Sequence, residues 1–278
     1  MGMRDLKQMF YGTLAVAVLV CFGTTAQAQE ICDDATHPIA PDSTVDCSLL
    51  VPENAGCTLA GVTVTGNIIV QSHAYLIDRP DGPTPSSVGG NVIATDALCV
   101  SLTVSSVGGN VIATGTNSGC FNTDNLLCTP RVGGNVEILG STSHSLPWCF
   151  EGDSSCGCSS ARMTVGGNFE FENNATPGTI TGDIIHGNLL FERNTDGGTV
   201  TGDHISGNLI VDGNHNSALD VSTDSVGGNL QFDVNHTSAN TVSTNHAGGN
   251  IQCFSNTPAP TGSGNTAGGV KSGQCKSL

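Results

Sequence analysis

The sequence predicts an all-β protein: a parallel β-helix, or β-solenoid, with about 20 residues per coil, stabilised by disulfides. Three observations carry this expectation: a phrase that recurs at a fixed period, a strand-like alternation within each copy, and an amino-acid usage suited to a thin core. Between Val165 and Asn256 the chain repeats Gly, Asn, alternating apolar and polar residues and a second Asn, as GGNFEFENN, HGNLLFERN, SGNLIVDGN, GGNLQFDVN and GGNIQCFSN. The leading asparagines are Asn168, Asn188, Asn208, Asn229 and Asn250, spaced 20, 20, 21 and 21 apart. A second asparagine follows six later in every copy: Asn174, Asn194, Asn214, Asn235 and Asn256. A fixed period of this length marks a solenoid in which each repeat is one coil.

Phase within the coil says which side chains turn inward. The first and third residues after the leading Asn are apolar throughout (Phe169 and Phe171, Leu189 and Phe191, Leu209 and Val211, Leu230 and Phe232, Ile251 and Cys253), as a strand with one buried face requires. Ile180, Val200, Val221 and Val242 mark a second short strand. Val165, Ile185, Ile205, Val226 and Ala247 mark a third. Three short strands per turn describe a parallel β-helix whose coils stack about 4.8 Å apart through main-chain hydrogen bonds. The asparagines are expected at the corners, taking up left-handed backbone and bonding amide to amide up the stack.

Composition agrees. Of 278 residues only 4% are aromatic and 12% charged, while 37 are glycine, which suits a narrow β-core with a tight corner at each turn. No stretch keeps a 3.6-residue apolar period. The net charge of −16 argues against a nucleic-acid partner.

Taken in order, residues 1–28 read as a secretion signal: Arg4 and Lys7 form a basic start, Met9 to Phe22 is largely apolar, and Ala26, Gln27 and Ala28 make an A-x-A cleavage site. The apolar run is too short to span a membrane comfortably. Of twelve cysteines, Cys21 lies in this leader, and the remaining eleven imply disulfides in an oxidising compartment with one thiol left over. Residues 29–60, with Pro38, Pro41 and Pro52, are expected to cap the open end of the solenoid. The helix then occupies residues 61–278, its first coil beginning at GVTVTGNIIV with Asn67 and continuing through Asn91, Asn110 and Asn135. Three intervals between leading asparagines exceed one plain coil: Asn67 to Asn91, Asn110 to Asn135, and Asn135 to Asn168. The longest, the last of these, carries a Cys-rich insertion at about 139–163, whose only tryptophan, Trp148, is the candidate for a partner contact.

VPENAGCTLAGVTVTGN near the start, the GGN-led strands, and NTPAPTGSGNTAGGVKSGQC at the end resemble a group of exported bacterial GGN-repeat proteins. The resemblance spans nearly the whole chain after the leader. It implies a secreted β-helix and assigns no activity or functional residue. One departure is that Val270 stands where the last copy would carry Asn, so the final coil is expected to be irregular.

The candidate chemistry lies in columns that recur once per coil. Glu172, Glu192, Asp212 and Asp233 stand four after the leading Asn, on the outward face, and Asp183, Asp203 and Asp224 stand five before it. Like charges one coil apart repel by roughly 1 kcal/mol even in water, so these seven residues are candidate calcium ligands, set against a plain solvated acidic face. Thr103 and Ser105, Thr179 and Thr181, Thr199 and Thr201, Asp220 and Ser222, and Thr241 and Ser243 form outward hydroxyl ranks similar to those of ice-binding β-helices, interrupted at Asp220. Polysaccharide lyases and hydrolases share the expected fold, but no local signature of catalytic residues appears here. The expectation is therefore a secreted or cell-surface structural or binding protein that is not an enzyme. Extracellular or cell-envelope polysaccharide, or self-association, would supply the partner. A polysaccharide-degrading or ice-binding protein is the alternative.

Overall fold

A computed structural model describes residues 18–19, 29–79, 85–103, 106–117, 125–142, 148–150 and 162–278. All regular secondary structure among them is strand, wound into a parallel β-helix with three long parallel sheets. Each coil gives a two-residue strand to the first sheet (Ile184–Ile185, His204–Ile205), a four-residue strand to the second (Leu189–Glu192, Leu209–Asp212) and another to the third (Gly198–Thr201, Leu219–Ser222). Neighbouring coils are in register residue for residue: Leu189 lies beside Leu209, Phe191 beside Val211, Val200 beside Val221. The expected secretion signal lies outside the described residues, apart from Val18–Leu19, which pairs with Thr44–Val45.

The apolar columns are the core. Phe169, Phe171, Leu189, Phe191, Leu209, Val211, Leu230, Phe232, Ile180, Val200, Val221, Ile185, Ile205 and Val226 are all buried, each contributing about 1.5–3 kcal/mol of hydrophobic stabilisation. The rings of Phe171 and Phe191 stack at 5.2 Å. They reach so far across the coil that a Cβ on Gly178 would lie 2.8 Å from Phe171, and one on Gly198 2.8 Å from Phe191. Volume is therefore exchanged across the lumen: where the second sheet carries Phe191 the third carries Gly198, and where it shrinks to Val211 the third grows to Leu219.

Three side-chain ladders stitch the corners. Each leading Asn accepts the main-chain N–H of its counterpart one coil later, as Asn168 Oδ1 does from Asn188 and Asn188 Oδ1 from Asn208, at 2.9 and 2.8 Å. The glycine before it is required by this ladder, because a Cβ on Gly207 would sit 2.5 Å from Asn188 Oδ1. The second asparagines run the other way: the N–H of Asn174, Asn194, Asn214 and Asn235 each bonds Oδ1 of the following coil at 3.0 Å, and the column ends with Asn256 N–H on Gln274 Oε1. Here the structure corrects the sequence expectation. The left-handed residue is the one before each second asparagine, namely Asn173, Arg193, Gly213, Val234 and Ser255, with φ between 54° and 65°. The asparagine itself is spent on hydrogen bonding.

The coil also begins earlier than Asn67. Within residues 29–60, expected to be a cap, Thr44–Val45, Ser48–Val51 and Gly56–Leu59 already belong to the three sheets. This coil is not apparent from the repeat because Ser48 stands in the asparagine position, its Oγ accepting the N–H of Asn67 at 3.1 Å. At the other end Val270 N–H still bonds Asn250 Oδ1 and Lys271–Gly273 extends the second sheet. Val270 offers no side-chain acceptor to a further coil, so that ladder stops there. Disulfides join Cys32 to Cys57 and Cys253 to Cys275, with Cα atoms 5.4 and 5.2 Å apart. Cys47, Cys99, Cys128 and Cys149 are bonded as well, and no described cysteine is free.

Candidate functional site

The structure separates the two acidic columns expected to act alike. Glu172, Glu192, Asp212 and Asp233 stand in register on the outer face of the second sheet. At two of these positions the repulsion anticipated from the spacing adds to a larger effect of burial: burial and then the charge of Glu172 push Glu192 up, and burial together with the charge of Asp212 pushes Asp233 up. Part of the relief comes from the chain itself. The guanidinium of Arg193 pairs with Glu172 of the coil before and with Glu192 of its own, the latter at 3.1 Å. Asp233 Oδ1 is bonded by the N–H of Phe254 at 2.7 Å.

Asp183, Asp203 and Asp224 are not on a solvated face. They are buried, and they occupy the third corner ladder. Asp183 Oδ1 accepts the N–H of Met163, Asp203 Oδ1 that of Asp183, and Asp224 Oδ1 that of Asp203, at 3.0, 2.7 and 2.9 Å. Asn245 and Asn265 continue the same ladder, at 3.0 Å each. With one oxygen held by main chain and the interior around it lined with Val and Ile, this column does not suit calcium, which takes six to eight oxygens. Among the described residues no group of three or more His, Cys, Asp or Glu side chains converges as a metal centre.

Trp148 is likewise not a surface contact. It starts a strand of the third sheet, Trp148–Phe150, and is buried, its indole Nε1–H donating to Ser141 Oγ at 3.0 Å. Its neighbour in the following coil is Gly178, and the indole ring stacks at 6.1 Å on that of Phe150. The flanking residues 143–147 and 151–161 of the expected insertion lie outside the described residues. The three long intervals each still contribute one strand to every sheet, so the additional residues leave the stack uninterrupted.

The third sheet presents the hydroxyl ranks outward. Thr179 lies beside Thr199 and Thr181 beside Thr201; Asp220 beside Thr241 and Ser222 beside Ser243. Thr199 and Thr201 continue onto Asp220 and Ser222, so the row of Thr201 stays hydroxyl while Asp220 interrupts that of Thr199. The hydroxyls engage one another along a row: Thr201 Oγ1 lies 3.1 Å from Ser222 Oγ and donates to Ser222 O at 2.9 Å. Thr103 belongs to the row of Thr181 rather than that of Thr179 and is bonded to Asp78, while Ser105 lies outside the described residues.

Asp78 is a buried acid that sequence reasoning passed over. It faces Ser86 Oγ at 2.5 Å and Thr103 Oγ1 at 2.9 Å, and burial raises its pKa against those bonds. Ser86 stands five before Asn91 and takes the N–H of Val62, so it fills in an early coil the ladder slot of Asp203. The signal was present in that spacing. His215 and His236, adjacent in consecutive coils, stack at 5.9 Å on the outside. A hollow of about 400 Å³ on the second sheet is lined by Glu53, Ile69, Gln71 and Thr95, a single carboxylate among neutral groups. No helix among the described residues is long and apolar enough to cross a membrane.

No protein-family model, curated protein or solved structure matches the chain.

Proposed function

We propose that the protein is exported and acts outside the cell as a non-catalytic structural or binding protein, laying an extended neutral polysaccharide along the third sheet. The observation that carries this reading is the register of the hydroxyl rows, Thr179 with Thr199, Thr181 with Thr201 and Ser222 with Ser243. Rows that repeat with the coil spacing of about 4.8 Å offer donors and acceptors in line. Such rows suit a long molecule rich in hydroxyls better than a compact metabolite. The net charge of −16 and the outward acidic column work against an anionic polymer. The A-x-A site and the bonded cysteines support export. A glycan array and a cell-wall pull-down with the purified protein, followed by assay for reducing or unsaturated sugar ends, test the reading. Binding without new ends is expected, and release of ends would replace the binder with an enzyme.

The same rows favour a second reading, an ice-binding face. Asp220 breaks one row, and the Thr201 hydroxyl is turned toward Ser222. We therefore expect no slowing of ice recrystallisation.

A further inference from the structure

The third ladder contains a chemical mismatch. In its last two coils the slot is asparagine, and each amide does two things: Oδ1 accepts a main-chain N–H, while Nδ2 donates to a main-chain carbonyl of the coil before, Asn245 to Val221 O at 2.9 Å and Asn265 to Val242 O at 2.8 Å. One and two coils earlier the same slot is aspartate. Asp224 and Asp203 keep the first function, accepting the N–H of Asp203 and Asp183 through Oδ1. Their Oδ2 atoms stand where the asparagines carry an NH₂, buried and without a hydrogen-bond partner. By register, the carbonyls facing that position are those of Val200 and Ile180. A carboxylate there would set an acceptor against an acceptor in an apolar lumen, an arrangement that disfavours the charged form.

We infer that Asp203 and Asp224 are held as neutral carboxylic acids, each donating its Oδ2–H to a main-chain carbonyl of the preceding coil, so that this corner of the helix loosens as pH rises. A protonated carboxyl has one O–H donor and one acceptor, the inventory of the primary amide it replaces less one hydrogen. When the proton is lost it passes to solvent, and the corner is left with a buried anion.

The surroundings point the same way. Burial raises Asp203 from an ordinary 3.8 to about 7, against the main-chain N–H of Asp183, Thr201 and Gly182 and the distant charge of Arg162. Asp224 is raised well above its ordinary value, first by burial and then by the charge of Asp203, with Asp220 on the adjoining third-sheet strand adding to it. Asp183 completes the column on the other side, and His204, next in the chain, is exposed. Because Asp203 and Asp224 repel when both are charged, their protons leave one after the other.

The sign follows from proton counting. Between about pH 4, where an unfolded aspartate ionises, and about pH 7, the folded chain binds more protons than the unfolded chain. This contribution is full below that window and falls through it, the reverse of an aspartate held by a salt bridge. The test measures the thermal midpoint of the purified, disulfide-intact protein across the window, beside Asp203→Asn, Asp224→Asn and the double variant. The wild-type midpoint should fall by at least about 3 °C toward alkaline pH, with the double variant flatter and higher at the alkaline end. Infrared spectroscopy of the wild type at about pH 6 should show a protonated carboxyl band. That measurement does not depend on any variant folding. Absence of the band, or a wild-type midpoint that rises through the window, would overturn the inference.

Discussion

Asn194 gives both its main-chain N–H and its side-chain Nδ2–H to a single acceptor, Asn214 Oδ1, each at 3.0 Å. Asn214 in turn donates to Phe191 O and to Asn235 Oδ1, both at 2.9 Å. Every member of this buried column thus closes main-chain groups that would otherwise be orphaned at a corner, where no sheet bond is available. Asn214→Ala should therefore destabilise by roughly 3 kcal/mol, since it strands a buried N–H and a buried carbonyl together. A urea midpoint within error of the wild type would show that the ladder is ornamental.

The corners also hold backbone strain that can be released. Val234 adopts φ 54° and Thr223 φ 60°, left-handed values that a β-branched residue rarely takes, while Gly213 and Gly202 occupy the same positions one coil earlier. Val234→Gly should raise stability by about 1 kcal/mol, because the side chain is 44% exposed and its loss opens no cavity. Loss of stability on this change, read from the thermal midpoint, would place the strain elsewhere.

The glycine before each leading asparagine acts by close approach. A Cβ on Gly207 would lie 2.5 Å from Asn188 Oδ1 and 2.7 Å from Gly187 O. Gly207→Ala should cost roughly 2–3 kcal/mol as the two coils are forced apart. Thermal melting separates this from a mild strand-propensity effect, which would be a few tenths of that.

Much of this arrangement was legible in the sequence because spacing alone encodes it. The alternation around Phe169 and Phe171, repeated in register through Ile251 and Cys253, placed the inward columns correctly. What spacing does not encode is which side of the wall a polar residue takes at a corner. Asp203 and Glu192 recur with the same period, yet the first bonds main chain inside and the second faces out. Only the asparagines that replace aspartate at Asn245 and Asn265 hinted at the difference. Trp148 misled for another reason. Its place in a cysteine-rich stretch suggested a loop, whereas it stands in the third-sheet column between Asn125 and Gly178 with its ring in the core.

Arg193 is the counterion of the outward column, and its removal should expose the repulsion it masks. Arg193→Gln should lower the melting midpoint by the equivalent of about 0.5–1 kcal/mol at low salt, the scale of an exposed ion pair. Millimolar calcium should raise the midpoint of the variant more than that of the wild type, since Glu172 and Glu192 are then free to share a cation. Equal responses would remove calcium from the description of this face.

The measurement that bears most directly on the proposed function is retention by insoluble neutral polysaccharide, comparing the wild type with Thr201→Tyr, which places bulk in the middle of the hydroxyl rows without entering the core. The account predicts that the wild type is retained, that the variant loses roughly tenfold in affinity, about 1.4 kcal/mol, and that the polymer keeps its length. A wild type that is not retained, or a polymer that is shortened in its presence, would contradict it.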